Sequence, residues 1–183
     1  MNVIQVLTLA AALAQAPAAQ PFKSSTNPVS DAVRDHAARY SKNLVRSAEL
    51  MPADKYGFHP TEPQMTFAQL MVHIVQTNVA LCSAISGDTS PMTMDDLKKL
   101  TGETSKDTLV AAVTRSFDIC TQAVAKATDA RLGEEVSMFG RATGQSRAMT
   151  MVTIAADWAD HYSTAASYLR QNGILPPTAQ PKK

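Results

Sequence analysis

The segment "MTFAQLMVHIVQTNVALCSAISG", residues 65–87, decides the fold class of this sequence. Its apolar residues return every three or four positions, the spacing of one buried helical face: Phe67, Leu70, Met71, Ile74, Leu81, Cys82 and Ile85, with Asn78 in the same row. Gly87 follows the last of them and is the residue type that most often ends a helix. The segment therefore predicts a long helix with one face in a core.

Three more segments around it have the same periodicity. A first helix begins near Asn27 or Ser30, ends before Pro52 and has an apolar face of Val29, Val33, Ala37, Tyr40, Leu44, Ala48 and Met51. The third begins at Ser105, ends near Thr128 and buries Leu109, Val113, Phe117, Cys120 and Val124. The last runs from Ser146 to Asn172, ahead of Gly173 and Pro176. We find no sustained period-two alternation and no internal repeat, so the sequence predicts an all-α four-helix bundle.

The connections between these helices leave the order of directions open. They span 52–65, 88–104 and 129–145. All three are longer than the roughly two to eight residues that usually join antiparallel neighbours in a bundle. Both an up-down-up-down order and an order with long crossovers fit such lengths.

Composition restricts the classes of partner. The chain has 183 residues, of which 45% are hydrophobic and 18% charged, enough for one domain with a core. Lys plus Arg number 17 and Asp plus Glu number 16, so the net charge of +1 gives no basis for a nucleic-acid partner. No glycine-rich phosphate loop with its lysine is present.

The first 20 residues are interpreted as a cleaved signal peptide. An apolar run from Val3 to Ala14 precedes small residues, among them Ala16 and Ala18, that suit signal peptidase. The run is shorter than the roughly 20 residues that span a bilayer, so we expect no stable membrane insertion and a periplasmic or secreted protein. Because no Lys or Arg precedes the run, an apolar tail is the alternative. The bundle domain is assigned to 27–177 and a flexible tail to 178–183.

Three side chains form a candidate metal site. Asp157 and His161 lie four residues apart and so share one face of the last helix, while His73 lies at the margin of the apolar face of the second helix. Two imidazoles and a carboxylate leave coordination positions open and suit zinc or ferrous iron. The alternative is an ordinary ion pair between Asp157 and His161.

Two segments resemble the DinB/YfiT-like metalloenzyme family. They are residues 65–87 and "HYSTAASYLRQNGILPP" at 161–177, which are similar to the family's Thr-Phe-x-Gln-Leu helix with a following His and to its terminal His-Tyr, Tyr-x-Arg and Gly-x-x-Pro-Pro pattern. The resemblance implies an up-down-down-up bundle, often dimeric, with a divalent zinc, nickel or iron ion on three histidines. His73 and His161 match two of these.

The sequence departs from the family pattern at the third ligand. Asp157 stands where the family has a histidine, and Ser163-Thr164 replace Gly-Gln. Asp157 either coordinates the ion or accepts a hydrogen bond from His161 and orients it. Loss of the metal through this change is the third alternative.

The function stays open among three hypotheses. The first is a metal-dependent hydrolase or transferase acting on a small molecule, and some members of the resembled family are thiol-dependent transferases. The second is a non-catalytic module that binds a metal or a small ligand, and the third is a metal-free structural bundle. The catalytic residues are unassigned, because Tyr162, Ser163, Thr164 and Tyr168 have hydrogen-bonding or packing roles as their simpler explanation. His36, His59 and Trp158 are interpreted as structural.

Two cysteines, Cys82 and Cys120, lie at similar depths in the second and third helices. A disulfide between them requires those helices to run parallel, with Cα atoms within about 7 Å. Two buried free thiols are the alternative.

Overall fold

The computed structural model describes residues 24–181, which form a helical bundle with a small hairpin. Four long helices are α1 (Pro28–Leu50), α2 (Phe67–Ser86), α4 (Lys106–Ala125) and α5 (Arg147–Gln171); a short α3 (Met94–Lys98) lies between α2 and α4. α2 and α1 each pack against both α4 and α5. The all-α bundle predicted from the periodicity is confirmed in outline. The signal peptide assigned to residues 1–20 lies outside the described residues.

A β-hairpin within the described residues corrects the prediction that 129–145 is a loop. Strands β1 (Glu135–Met138) and β2 (Arg141–Ser146) pair antiparallel across a two-residue turn, Phe139-Gly140. Both turn residues have positive φ, 51° and 76°. Such turns match the strand twist and favour Asn-Gly, so a phenylalanine there is strained by roughly 1–2 kcal/mol. Periodicity missed the hairpin because Val136 is its only fully buried strand residue.

Three of the helix ends are set by the residue types predicted from the neighbouring sequence. Ser105 and Ser146 cap α4 and α5 as predicted, and Gly87 ends α2 in the left-handed conformation with φ of 79°. The N-terminus of α1 is different, because neither predicted cap provides a side-chain bond there. The carboxylate of Asp129 accepts hydrogen bonds from the backbone N–H groups of Val29 and Ser30, at 3.0 and 2.9 Å.

A disulfide joins α2 to α4. Cys82 and Cys120 are bonded, with Cα atoms 4.9 Å apart, and both are fully buried. Of the two alternatives that the sequence left open, a disulfide and two buried free thiols, the structure has the disulfide. α2 is apolar enough for a membrane span by composition, yet 61% of its most apolar window is buried inside the bundle. It is the central helix of the core.

We predict that Tyr56→Phe lowers the free energy of unfolding by about 1–2 kcal/mol. The buried Tyr56 hydroxyl donates to the carbonyl of Ala48 at 2.6 Å. That carbonyl has no helical donor, because the residue four positions on is Pro52. Urea unfolding measures the loss.

Tyr40→Phe is the matched control for that measurement. Tyr40 contacts the rings of His36 and Tyr162, and phenylalanine keeps those contacts, so its stability should change by less than about 0.5 kcal/mol. Equal losses of unfolding free energy in the two variants would show that the Tyr56 hydrogen bond does not contribute to stability.

Candidate metal centre

The structure brings His73, Asp157 and His161 together between α2 and α5. Each offers one ligand atom, and these atoms all lie within 4.8 Å of one another. The imidazole rings of His73 and His161 meet edge to face, with centroids 4.8 Å apart. A tetrahedral zinc site places its ligand atoms about 3.4 Å apart, so the side chains need to close by about 1 Å around an ion. That these residues coordinate a metal stays a prediction.

Two polar atoms of this cluster are buried without a partner in the described part of the chain. They are Oδ2 of Asp157 and Nε2 of His161. Nε2 lies 3.2 Å from Oδ1 of Asp157, but the two groups are not aligned as a hydrogen bond. An unsatisfied buried polar atom costs about 1–3 kcal/mol, so two of them side by side favour an additional ligand. A cation suits them, because a carboxylate oxygen and an imidazole nitrogen that carries no proton both donate an electron pair.

The protonation states also fit a metal. Burial, helped by the nearby His161, holds the pKa of His73 below its usual value, while Asp157 opposes this. Burial acts to raise the pKa of Asp157, but its contacts with His161 and with the Thr77 hydroxyl outweigh burial and lower that pKa. At neutral pH His73 is therefore a neutral imidazole and Asp157 a carboxylate, which are the forms that bind divalent ions.

A buried hydrogen-bond network sets the rotation of α5 beside the cluster. Nε1 of Trp158 donates to Oδ1 of Asn78 at 2.7 Å, and the Asn78 amide donates to Oγ of Ser116 at 3.0 Å. Trp158 directly follows Asp157, so this bond anchors the turn of α5 from which the carboxylate projects. The sequence pattern shows Asn78 only as a member of an apolar row. A lone amide among apolar residues was the available signal for this role.

His73 gives the site a route to solvent. It lines an open cleft of about 480 Å³, together with Glu62, Gln64, Gln69 and Gln76. Asp157 and His161 do not line this cleft. An ion at the cluster would thus be reached from the side of α2.

The other candidate groups lie elsewhere or are engaged. His36 contacts Tyr40, and Nδ1 of His59 lies 2.9 Å from the carbonyl of Thr61. Three of the four hydroxyls near the site in sequence bond to other partners, namely Tyr162 to Thr178, Thr164 to Asp160 and Tyr168 to Met65. The fourth, Ser163, lies at an exposed position. The Tyr162 hydroxyl thus bonds to the turn Pro177–Ala179, whose last two residues belong to the tail predicted at 178–183.

Comparison with known proteins agrees with the fold. The chain resembles, at 15% identity and TM-score 0.63, a DinB-like protein from Bacillus cereus ATCC 10987, covering 80% of this chain and 95% of that one. A DinB-like protein, YjoA, from Bacillus subtilis has 21% identity and TM-score 0.59 over 82% and 99% of the two chains. No curated protein sequence matches the chain.

A third structure has a named activity. A mutant of the mycothiol-dependent maleylpyruvate isomerase aligns with TM-score 0.56 and 16% identity, over 73% of this chain and 59% of that chain. The present chain thus spans little more than half of that enzyme. At these identities the likeness concerns the fold alone.

Family membership rests on the sequence as well. The family model of the DinB superfamily matches residues 36–165, which include His73, Asp157 and His161. The chain therefore belongs to the DinB superfamily.

Proposed function

We propose that His73, Asp157 and His161 hold one divalent metal ion and that the protein uses it as a hydrolase or transferase on a small molecule. The observation that carries this proposal is the pair of buried, unpartnered donor atoms on Asp157 and His161, within reach of His73. Zinc, nickel and iron all suit two imidazoles and a carboxylate. A bound ion would supply Lewis acidity toward an oxygen or sulfur atom of the substrate.

The surrounding residues have defined tasks in this proposal. Asp157 balances the charge of the ion, and Trp158, held by Asn78, keeps α5 at the rotation that points both ligands inward. Thr77 lies next to the carboxylate and lowers its pKa together with His161. That a structural neighbour is a mycothiol-dependent isomerase supports enzymatic use of this fold.

A non-catalytic module that binds a metal or small ligand is the second candidate. One observation favours it, namely that the hydroxyls of Tyr162, Thr164 and Tyr168 all bond to other groups. In that case these three hydroxyls are not available to act on a substrate beside the cluster. Metal binding without turnover of a substrate would distinguish this candidate.

We infer that the bundle has the up-down-down-up order. Asn78 of α2 pairs with Ser116 of α4, and Cys82 pairs with Cys120, four residues further along both helices. The contacts thus follow the two helices in the same direction, which supports a parallel arrangement of α2 and α4. Other pairs join early residues of one helix to late residues of another, as in antiparallel packing: Arg34 with Val124, Glu49 with Lys106, His73 with His161 and Met65 with Tyr168.

We also propose that the protein is exported to the periplasm or the medium. The buried disulfide supports this, because disulfides persist in oxidising compartments and are rare in the cytosol. Together with the apolar segment at 3–14, it favours a cleaved signal peptide. The homodimer implied by the family resemblance and the expectation of no nucleic-acid partner stay predictions.

Replacement of Asp157 tests the proposal and its role. We expect Asp157→Asn to weaken binding of Zn²⁺ more than about a hundredfold if the carboxylate is a ligand, and about 10–100-fold if it orients His161. Asp157→His restores the family's three-histidine set and should bind Zn²⁺ at least as tightly as the natural chain. Isothermal titration of metal-free protein measures these affinities.

The control is Asp118→Asn, at an exposed position of α4 with no ion pair or side-chain hydrogen bond to the cluster. It should leave the affinity within about threefold, because it makes the same change of charge away from the three side chains. Equal affinities for Asp157→Asn and the natural chain would show that Asp157 has no part in metal binding.

A further inference from the structure

A second cleft lies at the opposite end of α2 from His73. It has a volume of about 500 Å³ and is enclosed by the end of α2, the segment 87–94 and the turn of the hairpin. None of His73, Asp157 and His161 lines it. The volume falls in the range of small-molecule sites, about 300–1,000 Å³.

The wall of this cleft is mainly apolar and held in place. Its apolar surface comes from Val79 and Ala80 of α2, from Met92, from Met94 of α3 and from Phe139 of the hairpin turn. The segment opposite α2 is fixed from outside, because Arg115 donates to the carbonyl of Pro91 at 2.8 Å. The cleft is therefore formed before any ligand binds.

The aromatic residue at its rim is held in a strained conformation. Phe139 has a φ of 51° and its side chain is 61% exposed, so neither turn geometry nor core packing accounts for a phenylalanine there. Met94, another residue of the lining, is 48% exposed. Strained residues of this kind cluster at ligand sites. A ligand between Phe139 and Met94 would cover both side chains.

The polar groups of the cleft define the ligand's chemistry. Asp88 is paired with Lys126 at 2.7 Å, and the hydroxyls of Ser90 and Thr93 bond within their own loop. Oγ of Ser83 is buried without a partner in the described chain. The lining thus offers no unpaired charge. Ser83 has its one buried hydroxyl without a partner, whereas Thr89 and Ser137 lie at exposed positions.

We propose that this cleft binds an uncharged, mainly apolar small molecule with one hydrogen-bonding group that pairs with the Ser83 hydroxyl. The ligand's apolar body lies between Ala80, Met94 and Phe139. A charged ligand is disfavoured, because the free energy lost by burying an unpaired charge in such a lining exceeds the free energy gained from its contacts. The site is independent of the metal proposal and stands if no metal binds.

Titration with N-phenyl-1-naphthylamine, followed by its fluorescence, tests the proposal. This probe is uncharged, has two aromatic units and carries a single N–H. One equivalent should bind to the full chain, and 8-anilinonaphthalene-1-sulfonate, which adds a negative charge to the same rings, should bind at least about tenfold more weakly. Absence of saturable binding, or equal binding of the two probes, would overturn the proposal.

Two variants locate the site. Ala80→Phe fills the cleft and should weaken probe binding at least about tenfold, whereas Ala156→Phe, at an exposed position of α5, should leave it unchanged. Phe139→Asn should weaken binding while the melting temperature stays equal or rises, because asparagine tolerates positive φ. If Phe139 had only a structural role, probe affinity and melting temperature would change together.

His73→Ala separates this site from the metal centre. Its probe affinity should equal that of the natural chain. Loss of probe binding in His73→Ala, or unchanged binding in both Ala80→Phe and Phe139→Asn, would contradict the assignment to this cleft.

Discussion

A variant in which His73 and His161 are both alanine is expected to contain no stoichiometric zinc, nickel or iron, whereas the natural chain should contain about one ion. The change removes both imidazoles and leaves Asp157 as the only candidate ligand of the cluster. Losing even an outer partner of a ligand costs roughly 10–100-fold in metal affinity, so the loss here should exceed about a hundredfold. Elemental analysis of protein purified without a metal-affinity tag measures the content.

The matched control replaces the other two histidines, His36 and His59. Both lie outside the cluster, beside Tyr40 and in the loop after α1. This variant should keep its metal. Equal metal content in the two double variants would mean that the ion, if any, is bound elsewhere, and circular dichroism would verify that both variants are folded.

Removing the disulfide is expected to lower the free energy of unfolding by about 4 kcal/mol. The bond closes a loop over a sequence separation of 38 residues, which restricts the unfolded chain. For a domain of this size such a loss corresponds to a melting temperature lower by roughly 10 °C. Urea and thermal unfolding of a Cys82→Ala, Cys120→Ala variant measure the effect.

Mass spectrometry checks the bond itself. Alkylation of the denatured protein should modify neither cysteine without reductant and both with it. Two alkylated cysteines in the unreduced sample would rule the bond out. Unchanged unfolding of the double alanine variant would show that the bond adds no stability.

Most of the bundle could be predicted from the sequence because helix signals are local. Each signal acts over only a few residues of the chain. The signals are the apolar rows at three- and four-residue spacing in α2 and α5, the caps at Ser105 and Ser146 and the helix end at Gly87. The N-terminus of α1 could not be predicted in this way. Its cap, Asp129, lies about 100 residues away in sequence, at a position that only the packed bundle defines.

The hairpin was missed for a related reason. Its strands have one fully buried residue, Val136, so no alternating pattern exists, and its turn uses Phe139 where asparagine is expected. The meeting of His73, Asp157 and His161 was partly predictable, since the spacing of Asp157 and His161 places them on one face. His73 was a candidate because it lies at the margin of the apolar face of α2. Its contact with α5 depends on the order of the bundle, which the helix pattern left open.

The most direct measurement is a crystal structure of the zinc-loaded protein with anomalous scattering recorded at the zinc absorption edge. The account predicts one strong anomalous peak between α2 and α5, about 2.0–2.2 Å from a nitrogen of His73, a nitrogen of His161 and, if the carboxylate is a ligand, an oxygen of Asp157. No peak at this cluster in crystals grown with excess zinc, or a peak held only by residues outside it, would contradict the account.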